Sequence, residues 1–332
     1  MNQPQTPAPS FASAGDLKEQ RPRVQQLAPG VYGYLSDFDP NCGFVVGDDH
    51  VVAIDTRPTP SMARGFLEDI RTITDKPVKF VVLTHYHAVR VMGASAFPDL
   101  QAIYASRGTD DWIRERGKAD FDSEVGRFPR LFAGVEEVPG LTIPTVVFEK
   151  KLTLRLGKRE LHLMNLGRGH SMGDTVCWIP DVGVLFAGDV VENRCGVYAG
   201  DAYVQDWCQT LEVVRQLKPR VMVPGRGGYL VNAQDCEQAI DLTRSFLQAL
   251  LDTVRASLAA GESLRECYAR AQVAMQPRFG DWPIYQHVLP FDVSRVYDEL
   301  SGIEHPRIWT AERDRQLWAD CLPQAGQGGS HA

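Results

Sequence analysis

The sequence predicts an α/β sandwich of two strand-rich halves, each containing a helix, followed by a helical extension. Three observations predict it. Short apolar or alternating runs recur between polar turns over residues 31–55, and a second series runs from Thr142 to residue 187. Each half also contains a helical stretch, at residues 61–72 and 207–217. Beyond residue 232 the strand pattern gives way to helical periodicity.

The elements follow in order. Residues 1–23 are rich in Pro, Ala, Ser and Gln and read as a disordered tail. Strands are expected at 31–35, 43–46 and 51–55, with Asp48-Asp49 as a turn. The helix at 61–72 ends before the Asp75-Lys76-Pro77 turn, and 78–84 reads as a buried strand. Residues 90–97 read as one short helix. The stretch 98–150 is less regular, with a strand around Tyr104, a helix opening over 109–116 and a loop around Arg127-Phe128-Pro129-Arg130. Strands return at 146–148, 152–156, 160–166, 175–179 and 184–187. Asp206 is the expected N-cap of the helix at 207–217, and 221–223 is the last strand. Asn232 caps a long helix that stops at Gly261, and Ser263 with Glu266 forms a capping box for the next. The expected division is a sandwich domain at 24–232, a helical extension at 233–322 and a flexible tail at 323–332.

Composition narrows the class. The 332 residues are 44% hydrophobic and 23% charged, ordinary for a soluble globular chain. A net charge of −7 argues against a broad nucleic-acid footprint. No apolar run approaches the roughly 18 residues of a membrane span. The N-terminus lacks a basic start and an apolar core, so no secretory signal is read there. Seven scattered cysteines, odd in number and without a C-x-x-C pair, read as buried reduced thiols of a cytoplasmic protein.

The chemistry is concentrated at strand ends. His85 and His87 flank one residue at the mouth of a buried strand, where two imidazoles can converge on one cation. Alone, that pair is a weak signal. It is joined by His170 in a glycine-flanked loop, Asp189 after a third strand, and Arg226 in a glycine loop after a fourth. Thr84-His85-Tyr86-His87, Gly169-His170-Ser171-Met172-Gly173-Asp174, Ala187-Gly188-Asp189 and Pro224-Gly225-Arg226-Gly227 together resemble the metallo-β-lactamase-fold superfamily, over about residues 24–232. Asp55 fits its early acidic strand end. The resemblance implies a four-layer αβ/βα sandwich with a metal held by His85, His87 and His170. It places the often-bridging aspartate at Asp189.

The chain departs from the family pattern where a second metal would bind. The aspartate and histidine that complete the family's first motif fall on Val89 and Arg90, and its last histidine falls on Arg226. Valine offers no ligand atom, and arginine stays protonated with no lone pair for a cation. The expectation is therefore one divalent metal per chain, Zn2+ first and Fe2+ as the alternative. Candidate ligands are His85, His87, His170 and Asp189; candidate catalytic groups are Asp189, Arg90 and Arg226. The two arginines read either as anchors for an anionic substrate and a developing oxyanion, or as a salt-bridge plug. Asp189 is either a fourth ligand or a partner of Arg226.

Other candidates carry blander readings. Asp174 orients a loop or caps it; Glu192 and Asn193 start a loop or line the mouth; Asp201 edges the pocket. Tyr86, Tyr198 and Tyr229 pack. His162 is structural and His50 a turn residue. His287 belongs to the extension and would cover the site if it reached it, whereas His305 and His331 carry no signal. The expected function is metal-dependent hydrolysis of an ester, lactone, thioester or amide in a small molecule, the arginines favouring one with an anionic group. The alternatives are a mononuclear iron oxygenase resembling persulfide dioxygenases, and a non-catalytic metal-binding or sensing scaffold. The extension suits a lid or a homodimer contact, and packing on its own domain explains its apolar stripe more simply.

Overall fold

The computed structural model describes residues 20–321. Its first sheet takes seven strands in sequence order: β1 (Arg23–Ala28), β2 (Val31–Leu35), β3 (Cys42–Val46), β4 (Val51–Ile54), β5 (Val78–Val82), β6 (Ala102–Ser106) and β7 (Val146–Phe148). β1 to β4 pair antiparallel and β4 to β7 parallel. The second sheet is ordered β12-β11-β10-β9-β8, from β8 (Lys151–Leu156), β9 (Arg159–Asn165), β10 (Thr175–Ile179), β11 (Val184–Gly188) and β12 (Val221–Pro224). Only β11 and β12 pair parallel in it.

The central strands are apolar on both faces because both faces are covered. In β3, Val45 points into the core between the sheets while its neighbour Phe44 points into the outer core. In β4, Val52 and Ile54 do the same with Ala53, and in β5 Val82 with Val81. The outer core of the first sheet is closed by helices α1 (Pro60–Arg71) and α3 (Arg107–Arg127). α1 forms because Thr59 accepts the Met62 N–H as its N-cap, Pro60 suits the first turn, and Ala63, Phe66, Leu67 and Ile70 fall on one face.

The outer face of the second sheet carries α4 (Val204–Gln216), α5 (Ala233–Ala259), α6 (Leu264–Phe279) and α7 (Tyr285–Leu300) around one large apolar cluster. α8 (Ala311–Cys321) packs against α3, α6 and α7. The order is thus helices, sheet, sheet, helices, as expected. The Asn232 cap and the Ser263–Glu266 capping box form as the sequence predicts, and Gly261 takes the left-handed conformation just past α5.

Three local expectations are corrected. The helix opening over 109–116 runs on to Arg127, through the segment read as irregular, and a 3-10 turn at Pro129–Phe132 replaces part of the expected loop. The helix expected at 90–97 is two pieces, α2 (Ala88–Val91) and a 3-10 turn at Ala94–Ala96. Asp206 is not an N-cap: α4 starts two residues before it, and Glu299 of α7 takes the Val204 and Gln205 N–H groups instead. The predicted tails lie almost wholly outside the described residues, as does His331. All seven cysteines are unpaired thiols. Among the described residues no helix is long and apolar enough to cross a membrane.

Candidate metal centre

Loops from both sheets meet at one edge of the sandwich. The loop after β5 brings His85 and His87, the loop after β9 brings His170, and β11 ends beside Asp189. All four side chains are buried, and one ligand atom from each lies within 4.8 Å of the others.

The outer nitrogen of each imidazole is engaged. His85 Nδ1 is 3.0 Å from the Thr84 hydroxyl, whose own proton goes to Asp55 Oδ2 at 2.8 Å. His170 Nδ1 is 2.9 Å from the Tyr198 carbonyl, and His87 Nε2 is 3.4 Å from Asp201 Oδ2. Acceptors at those positions fix the N–H outward. The lone pairs then face inward on His85 Nε2, His87 Nδ1 and His170 Nε2. His85 Nε2 is buried without a hydrogen-bond partner, and His87 Nδ1 is 3.0 Å from His170 Nε2. Two facing lone pairs at that distance call for a proton or a cation. The donor set therefore fits one divalent ion.

The electrostatics agree for two of the three rings. Burial pushes His170 down to about 3 and His85 well below the usual imidazole range, so both are neutral donors. For His87 burial acts the same way, but Asp120, Asp201 and Glu124 outweigh it and raise it to about 9. A proton and a cation compete for that nitrogen.

Arg90 and Arg226 converge on Asp189. Arg90, fully buried, donates to Asp189 Oδ1, to the Asn41 carbonyl, and to the Gly225 carbonyl at 2.8 Å. Its Nη1 also lies 3.6 Å from Asp55 Oδ2. Arg226 Nη1 reaches Asp189 Oδ2 at 3.1 Å and Glu192 Oε1 at 3.4 Å. Burial pushes Asp189 up, but Arg90, His85 and Arg226 hold it well below the usual carboxylate range. Asp189 Oδ2 remains 3.6 Å from His85 Nε2 and 3.7 Å from His170 Nε2, so it faces the imidazoles and the guanidiniums at once. Val89 packs in the apolar core beneath the first sheet.

The remaining candidates fall around this centre. Asp174 accepts the Ser171 N–H at 2.9 Å and its hydroxyl at 2.6 Å, bracing the His170 loop. Glu192 accepts the Arg226 N–H, and Asn193 donates to the Gly228 carbonyl at 2.8 Å. Tyr86 packs edge-on to Trp112 and Tyr198 edge-on to His87, and Tyr229 packs at the sheet interface. His162 pairs with Glu160 at 3.0 Å, and His50 packs edge-on to Phe80. His287 is buried with its ring 4.3 Å from that of Phe128. The extension reaches the site through Ile284 and Val288 instead: they line a cavity of about 10 Å3 with His87, Asp189, Glu124, Arg127 and Arg226.

Sequence reasoning missed a second layer supplied by α3. Asp120 Oδ2 accepts the Ala88 N–H at 2.7 Å and Glu124 Oε2 the Val89 N–H at 2.8 Å, fixing the turn just after His87. Arg116 approaches Asp201 at 3.4 Å and stacks on Trp112, while His305 is 2.7 Å from Arg116. The available signal was a charged stripe, Asp120, Glu124 and Arg127, at helical spacing.

A two-sheet αβ/βα sandwich with a histidine cluster at its strand-end loops defines the class. Residues 35–226 match the family model of the metallo-beta-lactamase superfamily, and the chain belongs to that superfamily. It is 26% identical over 223 residues to a type 2 metallo-beta-lactamase of Bacteroides fragilis, covering 62% of this chain and 79% of that protein. A type 2 metallo-beta-lactamase of Elizabethkingia meningoseptica is 23% identical over 210 residues, covering 60% and 75%. Among solved structures, a stereoselective inverting sec-alkylsulfatase from Pseudomonas sp. superposes with a TM-score of 0.67 at 17% identity, over 85% of this chain. The chain spans only 50% of that sulfatase. A metallo-beta-lactamase from Pontibacter korlensis gives 0.55 at 21% identity, over 68% of this chain and 99% of that one.

Proposed function

We propose that the chain is a mononuclear metal-dependent hydrolase acting on an ester, lactone, thioester or amide that bears an anionic group. One observation carries the reading: three buried imidazoles turn one nitrogen each toward a common point, each ring held by an outer partner, with a bound ion having to displace the proton that the surroundings of His87 favour. Three nitrogens and one carboxylate suit zinc, with ferrous iron the other candidate. When bound, such an ion polarises an electrophile and acidifies water at neutral pH.

The chain's own groups have distinct parts. Thr84, Asp201 and the Tyr198 carbonyl keep the imidazoles in tautomer and orientation. Arg90 and Arg226 keep Asp189 ionised, so Asp189 Oδ2 orients a water by accepting its proton in a hydrogen bond. Arg90 also supplies positive charge where the family pattern places second-site ligands. Having two carbonyls and a carboxylate as partners, it leaves substrate contact to Arg226, which lines the cavity.

Elemental analysis of protein purified without added metal tests the centre. One ion per chain is expected, and two would overturn the ligand assignment. Turnover across a panel of ester, lactone, thioester and amide substrates, abolished by chelation, tests the hydrolase reading, and oxygen-dependent turnover of a persulfide would point to the iron oxygenase instead. A second reading, a metal-binding scaffold, draws on the cavity: about 10 Å3 is the room of roughly one water. One bound ion with no turnover across the panel would select it.

A further inference from the structure

Arg127, the last residue of α3, is 1% exposed. A guanidinium brings five donors and keeps its charge when buried. Its Nη2 has no hydrogen-bond partner, and neither has its Nε, which lies 3.7 Å from Asp314 Oδ2. That carboxylate is already engaged by the Ser123 hydroxyl at 2.5 Å. Aromatic rings make up much of the surroundings: the guanidinium carbon is 4.7 Å from the Phe291 centroid and 5.5 Å from that of Tyr198. Unmet donors on a buried cation are costly, so they call for a partner: a water, an ion or a ligand.

The missing partner has a place to sit. Arg127 lines the small cavity that also touches His87, Asp189 and Arg226. Phe128, Ile284 and Val288 give that cavity its apolar surface. Its wall holds two guanidiniums and two carboxylates, Glu124 and Asp189. Glu124 has one oxygen on the Val89 N–H, and Asp189 is held from behind by Arg90 as well. The two charges of each sign balance, so a divalent ion, when bound, would tip the wall positive.

We propose that Arg127 is the anchor for a carboxylate of the substrate, placed beside the metal centre with Arg226 at the same cavity. The substrate class is then a compound whose carboxylate lies close to the bond to be cleaved, next to a small apolar group. This rests on the hydrolase reading above. A carboxylate matches the flat, bidentate fork of a guanidinium, and since the closed cavity has room for about one water, the substrate enters only when the cover withdraws. Ile284, which starts that cover, holds φ at 58°, a conformation that β-branched residues rarely adopt.

Sodium formate is the probe. Titrated calorimetrically at constant ionic strength into the purified full chain, it should bind saturably, and Arg127→Met should weaken binding roughly 10- to 100-fold. In turnover, the ratio of KM for a carboxylate-bearing aryl ester to KM for its neutral analogue should rise by a similar factor. No saturable binding, or binding unchanged in Arg127→Met, overturns the anchor. Should that variant not fold, the wild-type chain decides: formate should inhibit cleavage of the carboxylate-bearing ester and spare the neutral one, and equal inhibition of both refutes the proposal. Arg127-dependent formate binding in a chain that hydrolyses no ester would support the anion site while removing the hydrolase reading.

Discussion

Arg90 sits where an isolated charge would be most costly, and every group around it answers that charge. Removing the guanidinium leaves Asp189 and two backbone carbonyls short of donors in the interior. Arg90→Met is therefore expected to cost roughly 3–5 kcal/mol, read as a lower midpoint in urea unfolding. An unchanged midpoint would mean that the buried pair is not what holds these loops. Asp174 offers a different measurement. Burial raises it from 3.8 to about 7, against the two Ser171 hydrogen bonds that pull it down. The folded state thus binds the Asp174 proton more tightly than the unfolded chain does. Stability from this group is complete below pH 4 and drains away as pH rises to about 7, by up to about 1.4 kcal/mol per pH unit. Asp174→Asn should flatten that part of the stability profile relative to wild type. Single residues were unevenly legible in the sequence. The imidazoles stood out only in company, because His170, Asp189 and Arg226 follow at further strand ends in a family's order, and the loss of second-site ligands followed from the residue types at that family's positions. Which of Arg90 and Arg226 faces the cavity did not, since it depends on carbonyls contributed by distant segments.

Elements show where pattern reading stops. α1 and α5 were visible because their apolar residues repeat on one face and their caps are strong. α3 was cut short because its inner face mixes Trp112 and Ile113 with a buried polar stripe of Asp120, Glu124 and Arg127, which apolar periodicity does not register. The same stripe builds the layer behind His87, so one blind spot hid both a helix end and part of the site. α3 also abuts the His170 loop. A Cβ on Gly173 would strike the Thr109 backbone nitrogen, and Thr109 Oγ1 donates to the Gly173 carbonyl at 2.8 Å. Gly173→Ala should destabilise the fold by roughly 1–3 kcal/mol and weaken metal binding at the same time. Ser263→Ala, in the capping box of α6, should cost about 1 kcal/mol and leave metal binding alone. Denaturation and metal titration on the two variants separate a local defect from one that reaches the centre.

At the scale of the molecule, the imidazoles join loops from the two sheets, so an ion held there stabilises the association of both halves. Binding at 1,000 times its Kd adds about 4 kcal/mol to folding. Chelation should lower the Tm in a metal-dependent, reversible way, and a Tm indifferent to chelator would contradict a bound ion. The sandwich was legible because two strand series each enclose a helix, the four layers because the strand-end motifs resemble a known family, and the late helices because their caps are conventional. The partners of Arg90 carry a consequence for the chain as it is made. Asn41 lies 49 residues away and Gly225 135 residues away. Synthesis delivers Arg90 long before Gly225 and Asp189. Until they emerge, a first half that collapsed alone would bury that guanidinium with only the Asn41 carbonyl and, at 3.6 Å, Asp55 for partners, so its packing is expected to wait for the second half.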